Sequence, residues 1–309
     1  MTQKDSSFMI FSGSSHQGLA KEIANELQMP LGKVVRETFP DGEIGIQIQE
    51  NVRGKDVFIV QTGAKKPNRY LMELLIMADA CKRASARSIS AVIPYFAYAR
   101  QDRKDKPRVP ITARLVANLL ETSGITRILT MDLHTEQVQG FFDIPVDHLY
   151  ARPLFVKKFQ NRTKDLIVVS PDVGSNKMAR KFAENLNVGL AIVDKSRITA
   201  NRVESNAIIG DVKGKNVILI DDICSTGETL KNATRACKQH GAEDVWAAVP
   251  HGLFIGDTMK DSGIEEFFVT DTILQDITIG IKLQIVSVAP LFAQAIDCVV
   301  NAKSISSLF

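Results

Sequence analysis

Val217-Ile-Leu-Ile-Asp-Asp-Ile-Cys-Ser-Thr-Gly-Glu-Thr229 opens on four consecutive apolar residues, the texture of a strand buried on both faces. It closes on small and hydroxylated residues that turn into a helix. Asp221 and Asp222 stand between, and two adjacent acids after such a run have no packing use. Backbone N–H groups of Ser225-Thr226-Gly227-Glu228-Thr229, with their hydroxyls and the helix amino end, can hold a phosphate. Asp221 and Asp222 suit ribose hydroxyls or a sugar-bound Mg2+. The plainer alternative, a strand with an aspartate cap and a tight turn, leaves the second acid unexplained.

The same texture recurs outward from this stretch. Val57–Val60, Ile89–Ile93, Ile128–Met131, Leu166–Val169 and Val245–Val249 read as buried strands. Helix candidates alternate with them: Asn68–Ala84, Pro110–Thr122 closed by Gly124, and Thr229–His240 closed by Gly241, with proline and glycine where helix ends expect them. Alternation of strand and helix predicts parallel α/β sheets. Glu43–Gln49 differs: Ile44, Ile46 and Ile48 alternate with small or polar residues beside the turn Pro40-Asp-Gly42, as in a half-solvated hairpin strand or flap. The 309 residues, at roughly 150 per domain, suggest two domains, 1–150 and 151–309; the last residues are separately expected to return to the first.

Composition narrows the class. Hydrophobic residues are 45% and charged residues 24% of the chain, which excludes disordered, collagen-like and disulfide-scaffold proteins. The net charge is only +3 and the charges are interleaved, so neither nucleic acid nor a membrane surface is implied. No charged leader with an apolar stretch and no membrane-length apolar run occurs, and the expected location is cytoplasmic. Cysteines 81, 224, 237 and 298 form no C-x-x-C pair, so neither a zinc site nor a disulfide framework is suggested. Cys224 reads as a small filler rather than a nucleophile.

Other chemistry-bearing segments follow strand-like runs. Arg100–Arg108 carries five basic and two acidic residues in one loop, better suited to a triphosphate with its metal than to a solvated loop or a nucleic-acid face. Thr130-Met-Asp-Leu-His134 and Ser170-Pro-Asp172 end strands where open parallel sheets bind ligands. His134 and Asp172 can ligate Mg2+ directly or through water, although a lone histidine is as often a structural hydrogen-bonder. Lys195 and Arg197 follow the apolar run Leu190–Val193 and can stabilise a phosphoryl group in flight; the stretch 198–204 reads as a mobile polar loop. No G-x-x-x-x-G-K-[ST] and no G-x-G-x-x-G occurs, so a nucleotide must be held some other way.

The stretch 217–229 resembles the phosphoribosyl-diphosphate loop of type I phosphoribosyltransferases. Together with Phe11–Gln17, Phe39–Glu43, Tyr98–Asp102, Thr130–His134, Gln139–Asp143, Ser170–Asp172 and the C-terminal Ser304–Phe309, it makes the whole chain resemble the ribose-phosphate pyrophosphokinase family. The resemblance implies two type I phosphoribosyltransferase-like α/β domains, each a mainly parallel sheet flanked by helices. It also implies Mg2+-dependent transfer of the diphosphoryl group of ATP to the anomeric hydroxyl of ribose 5-phosphate, releasing AMP. By similarity, Phe39, Asp41 and Glu43 form a flap for adenine bound mainly by a neighbouring subunit, with Arg100, Gln101, Asp105 and His134 at the nucleotide. His134 and Asp172 organise Mg2+, Asp221 and Asp222 the ribose, Ser225–Thr229 the 5-phosphate, and Lys195 and Arg197 the catalytic charge. A homohexamer is implied, with inorganic phosphate and ADP as effectors at Arg53, Ser85, Arg108, Ser304, Ser306 and Phe309.

The chain departs from the family pattern at Ser225 and Glu228 of the ribose loop, at Met178, where a basic residue is usual after Asp172, and at Asn51, which stands for a serine of the effector site. Two rivals follow. A regulatory, non-catalytic relative would be explained by those departures, but Lys195, Arg197, His134, Asp172 and the Asp221-Asp222 pair are all retained. A phosphoribosyltransferase that consumes the diphosphate would need no ATP flap.

Overall fold

The computed structural model describes residues 7–162, 164–196, 205–256, 259–276 and 279–308. Two compact units are formed, one from Met1–Tyr150, Thr272–Leu274 and Val288–Phe309, the other from Ala151–Asp271 and Gln275–Ser287.

The first unit runs β1 (Phe8–Ser12), α1 (Gln17–Glu26), β2 (Val34–Thr38), β3 (Ile44–Ile48), β4 (Asp56–Val60), α2 (Pro67–Arg83), β5 (Ser88–Ile93), α3 (Thr112–Thr122), β6 (Arg127–Met131), a 3-10 turn at Glu136–Phe141 and β7 (Val146–Leu149). Its sheet has the order β1-β4-β5-β6-β7, and every pairing is parallel. The second unit contributes α4 (Arg152–Phe159), β8 (Leu166–Ser170), α5 (Asn176–Leu186), β9 (Gly189–Ser196), β10 (Ser205–Ile209), β11 (Asn216–Ile220), β12 (Ile223–Cys224), α6 (Glu228–Gln239), β13 (Val245–Val249), β14 (His251–Gly252), β15 (Glu266–Thr270) and β16 (Lys282–Val286). Its sheet, β10-β9-β8-β11-β13-β15-β16, is parallel except for the β10–β9 edge. The chain then returns to the first unit as α7 (Ala289–Val300) and a 3-10 turn, Ile305–Leu308.

Burial explains the strand texture. All five residues of β8 and of β15 are buried, as a sheet covered on both faces requires. The core of the first unit gathers Val57, Ile59, Ile89, Ala91 and Ile128 against Leu74, Met77 and Cys81 of α2 and Val116 and Leu120 of α3. In the second unit Val217, Leu219, Val245, Ala247, Phe267 and Val269 pack against Leu230, Ala233 and Cys237 of α6. Glycine closes two helices as the sequence predicts: Gly124 and Gly241 sit at φ of 106° and 86°, conformations costly to any residue with a Cβ.

Three helix starts differ from the expected ones, and α2 begins at Pro67 rather than Asn68, with the proline in its first turn. α3 begins at Thr112 rather than Pro110, because Ile111 is still extended at φ −108°, ψ 85° and the Ala113 N–H donates back to the Gln101 carbonyl at 3.1 Å. α6 begins one residue early, at Glu228, because Gly227 reverses the chain at φ 83°. The Glu228 carboxylate then falls in the first turn, where the helix dipole favours an anion. The half-solvated stretch at 44–48 is a hairpin strand, antiparallel to β2, whose Ile46 and Ile48 lean on the core of the first unit.

Leu219 is fully buried in β11, two residues before Asp221. Leu219→Ala is expected to destabilise the second unit by about 2–5 kcal/mol through the cavity it leaves. A thermal or urea melt checks this: an unchanged midpoint would contradict the packing described.

Candidate active site

In the second unit, chemistry gathers at the carboxyl ends of β8 and β11, adjacent strands of the sheet. β11 ends at Ile220, and Asp221 follows buried, with 9% of its surface exposed; the Asp222 N–H donates to its Oδ1 at 3.0 Å. Beyond β8, Asp172 Oδ1 accepts from the Ser175 N–H at 3.0 Å and the Ser175 hydroxyl at 2.9 Å, which fixes its orientation at the start of α5. Burial, and then the charges of Asp222 and Asp172, push the Asp221 carboxyl well above the usual carboxylate range. Three acids that repel one another are a setting that a hard cation relieves.

The loop after Asp222 is shaped by a second, two-stranded sheet. β12 pairs parallel with β14, and the N–H groups of Leu253 and Ile255 donate to the carbonyls of Cys224 and Ser225, each at 2.8 Å. Ser225, Thr226, Gly227, Glu228 and Thr229 follow in sequence and lead into α6. Gly227 is favoured here on two counts: its φ is positive, and a Cβ would press on the Met259 sulfur, which would have to move. Cys224 lies 3.9 Å from that sulfur. Burial and the Asp221 charge push its thiol up to about 12, so it is a packing residue and not a nucleophile. Cys81 and Cys237 are likewise pushed up to about 12 by burial.

In the first unit two segments expected at the nucleotide are tied together. Tyr98, at φ 67°, turns the chain out of the sheet. Arg100, Gln101 and Asp105 are exposed beyond it, and the Thr112 hydroxyl holds the Gln101 side chain at 2.5 Å. After β6, Asp132 takes φ 37° while its N–H reaches the Leu149 carbonyl at 3.0 Å. The next amide, Leu133, donates to Nε2 of the buried His148 at 2.9 Å, and His134 follows with its side chain exposed. The Thr135 hydroxyl then donates to Asp102 at 2.8 Å, joining the 100–102 segment to the His134 tip.

The hairpin tip is also preformed. The Phe39 N–H donates to the Glu43 carbonyl at 2.9 Å, the Gly42 N–H to the Phe39 carbonyl at 2.8 Å, and the Glu43 N–H to Asp41 at 3.1 Å. Phe39, Asp41 and Glu43 are all exposed. Of the residues matched to an effector site, Arg53 and Ser85 lie on touching turns, since the Gly54 N–H donates to the Ser85 carbonyl at 2.9 Å. Arg108, Ser304 and Ser306 are exposed, with the Ser306 N–H on the Ser304 hydroxyl at 3.2 Å. Lys195 lies on β9 in register with Asn206. Arg197, Phe309 and the stretch 198–204 lie outside the described residues.

His134 belongs to the first unit and Asp172 to the second. Among the described residues no group of three or more His, Cys, Asp or Glu side chains is arranged to hold a metal ion. Mg2+ ordinarily keeps several waters and binds one or two carboxylates plus substrate phosphates, so the oxygens of Asp172 or of the Asp221-Asp222 pair would suit it without a cage of three side chains. Sequence reasoning missed His148, Asp102 with Thr135, and Ser175. Their roles come from reaching backbone or side chains brought near only by folding.

The N-terminal domain of ribose phosphate pyrophosphokinase matches residues 8–124, and the phosphoribosyl transferase domain matches residues 148–283. The ribose-phosphate pyrophosphokinase of Clostridium perfringens is 50% identical over 100% of this chain and 99% of its own. That of Caldanaerobacter subterraneus subsp. tengcongensis is 50% identical over 100% of both. Among solved structures, the phosphoribosylpyrophosphate synthetase of Mycobacterium smegmatis aligns with a TM-score of 0.90 at 41% identity, covering 96% of this chain and 99% of its own.

The raised Asp221 carboxyl makes a pH prediction. A raised group lends stability below its ordinary value, 3.8, and loses it as pH rises through the folded value. In Mg2+-free buffer without ligand, Asp221→Asn is therefore expected to melt higher than the native chain at pH 7, the gain vanishing as the pH is lowered below about 4. A lower melting point at pH 7 would contradict the electrostatics described.

Proposed function

The chain belongs to the ribose-phosphate pyrophosphokinase family and is an enzyme of phosphoribosyl diphosphate synthesis, and from that premise we propose which of its residues bind ATP and ribose 5-phosphate and which act on the transferred group. The observation carrying the proposal is the end of β11, where Asp221 and Asp222 meet a turn that opens α6. Ser225, Thr226, Gly227, Glu228 and Thr229 hold the 5-phosphate at the amino end of α6. Asp221 and Asp222 orient the ribose hydroxyls.

The oxygen of the anomeric hydroxyl attacks the β-phosphorus of ATP and its proton is released to solvent, the bond from that phosphorus to the α,β-bridging oxygen breaks, and AMP leaves with that oxygen as 5-phosphoribosyl 1-diphosphate forms. Lys195 and Arg197 neutralise the charge that develops on the transferred diphosphoryl group. Arg100, Gln101 and Asp105 hold the triphosphate end of ATP, and Phe39, Asp41 and Glu43 hold its base, the ring stacking on adenine. Asp172 and His134 would each be available to ligate Mg2+, directly or through water, and the ion would supply positive charge against the phosphates. His134 also lies at the nucleotide.

The Ser225 hydroxyl can serve a phosphate at least as well as a carboxylate can, and Glu228, exposed in the first turn of α6, leaves the loop's backbone geometry to Gly227. We place the enzyme in the cytoplasm as a homohexamer. Inorganic phosphate and ADP act as effectors through Arg53, Ser85, Arg108, Ser304, Ser306 and Phe309, a set for which the touching turns of Arg53 and Ser85 give support. No described helix is long and apolar enough to cross a membrane.

Purified protein with ATP and Mg2+ is expected to release AMP only when ribose 5-phosphate is added, and faster with inorganic phosphate. AMP release independent of the sugar would overturn the assignment, and a flat phosphate response would remove the effector site. Lys195→Ala is expected to lower kcat by about 100-fold or more with the melting temperature unchanged, because its charge acts on the transition state; normal turnover would remove Lys195 from catalysis.

A further inference from the structure

Glu73 is a carboxylate on the apolar face of α2, between residues that pack into the core, and it is only 1% exposed. A buried charge is retained where it is paired and hydrogen-bonded, and Glu73 is both. Its Oε1 accepts the Ser14 N–H at 2.8 Å, and its Oε2 accepts the Ser14 hydroxyl and the Gln61 side-chain amide, the latter at 3.2 Å. Ser14 lies after β1 and Gln61 after β4, so the carboxylate is locked to the carboxyl edge of the sheet. The Nε of Arg36, from β2, lies 3.2 Å from Oε1.

Arg36 makes this pairing ionic more than directional, since its buried Nε forms no hydrogen bond of good geometry. One residue pair further along there is a second link: Arg69 Nη2 donates to the Thr38 hydroxyl at 2.8 Å. Arg36 and Thr38 are two apart on β2 and so share a face of the strand. Arg69 and Glu73 are four apart on α2 and so share a face of the helix. The two links are rungs of one clasp between hairpin and helix. The residue after the upper rung is Phe39, where the exposed tip begins.

We propose that Glu73, through Arg36, is the positioning residue that sets the pose of the 39–43 tip toward the base of ATP, and hence that it governs ATP affinity and not turnover. This rests on the reading of that tip as the adenine-holding flap. The carboxylate is anchored on its other side by Ser14 and Gln61, so it transmits the rigidity of the sheet to a hairpin whose strands are not part of that sheet and whose base is tied to it through the Gly32 N–H on the Ile10 carbonyl at 2.8 Å. The clasp fixes where the strand emerges, and the tip's own hydrogen bonds fix how Phe39 is presented.

The test is steady-state kinetics of the full-length enzyme, titrating ATP at saturating ribose 5-phosphate and the converse, with melting temperatures recorded for each variant. Arg36→Leu is expected to raise the KM for ATP about tenfold while kcat and the KM for ribose 5-phosphate stay within about twofold. Arg36→Lys is expected to restore most of the ATP affinity, because an ionic link survives the exchange. Glu73→Gln repeats the Arg36→Leu pattern where it folds. In combination with Phe39→Ala, which itself raises the KM for ATP, Arg36→Leu adds little, because both act through the same ring. If Phe39→Ala raises the KM and Arg36→Leu does not, or lowers only the melting temperature, the clasp has no positioning role and the flap reading survives. If Phe39→Ala leaves the ATP titration unchanged, the flap reading falls and the clasp's role falls with it.

Discussion

Parallel strands hydrogen-bonded into sheets covered on both faces are the constraint on which the rest depends. Such a sheet cannot turn directly from one strand to the next, so each strand hands over to a helix, and every carboxyl end emerges on one edge. In the first unit β1, β4 and β5 hand over to helices, and in the second β8 and β11 do, while the edge strand β10 runs antiparallel to β9. Asp172 and Asp221 follow β8 and β11 in one, and Gln61, Arg100 and His134 follow β4, β5 and β6 in the other. The apolar runs that build the cores and the polar residues that do chemistry are thus the two ends of the same strands.

Electrostatics at that edge is arranged for a charged guest. Asp221 is held where its own ionisation is disfavoured by burial and by Asp222 and Asp172. Removing those charges would ease the fold, and the proposed binding of a cation and of sugar hydroxyls at this edge would account for keeping them. The adjacent loop is restrained by Leu253, Ile255 and Met259, so the structure around the proposed phosphate site is set by the fold itself. Preorganisation of this kind lowers the cost of ordering on binding. The His134 tip follows the same logic, with a strained Asp132, a backbone amide held by His148 and a tie from Thr135 to Asp102.

The hairpin stands apart from both sheets. It is antiparallel, half-solvated and joined to the first unit by apolar contacts of Ile46 and Ile48 and by the two polar links to α2. A two-stranded ribbon alone is only marginally stable in water. Its clasp to a long helix is what lets it carry an exposed aromatic residue in a fixed place.

Much of this was legible from residues alone. The runs at 57–60, 89–93, 128–131, 166–169, 217–220 and 245–249 became strands within a residue of their expected ends, because a doubly buried strand has no freedom to be anything but apolar. Glycines 124 and 241, the hairpin at 44–48 and the acidic turn at 221–229 were legible for equally local reasons. What the sequence could not announce was partnership across distance. Glu73 breaks the apolar stripe of α2 and could have been flagged as odd, yet only folding brings Ser14, 59 residues away, and Arg36 to it. His148 looks like any polar residue in a strand until β7 lies beside β6. Periodicity and composition determined which segments are strands, helices and turns, since these depend on neighbours along the chain. The tertiary structure alone decided which polar groups face one another, since a hydrogen bond or an ion pair is settled by ångströms in space.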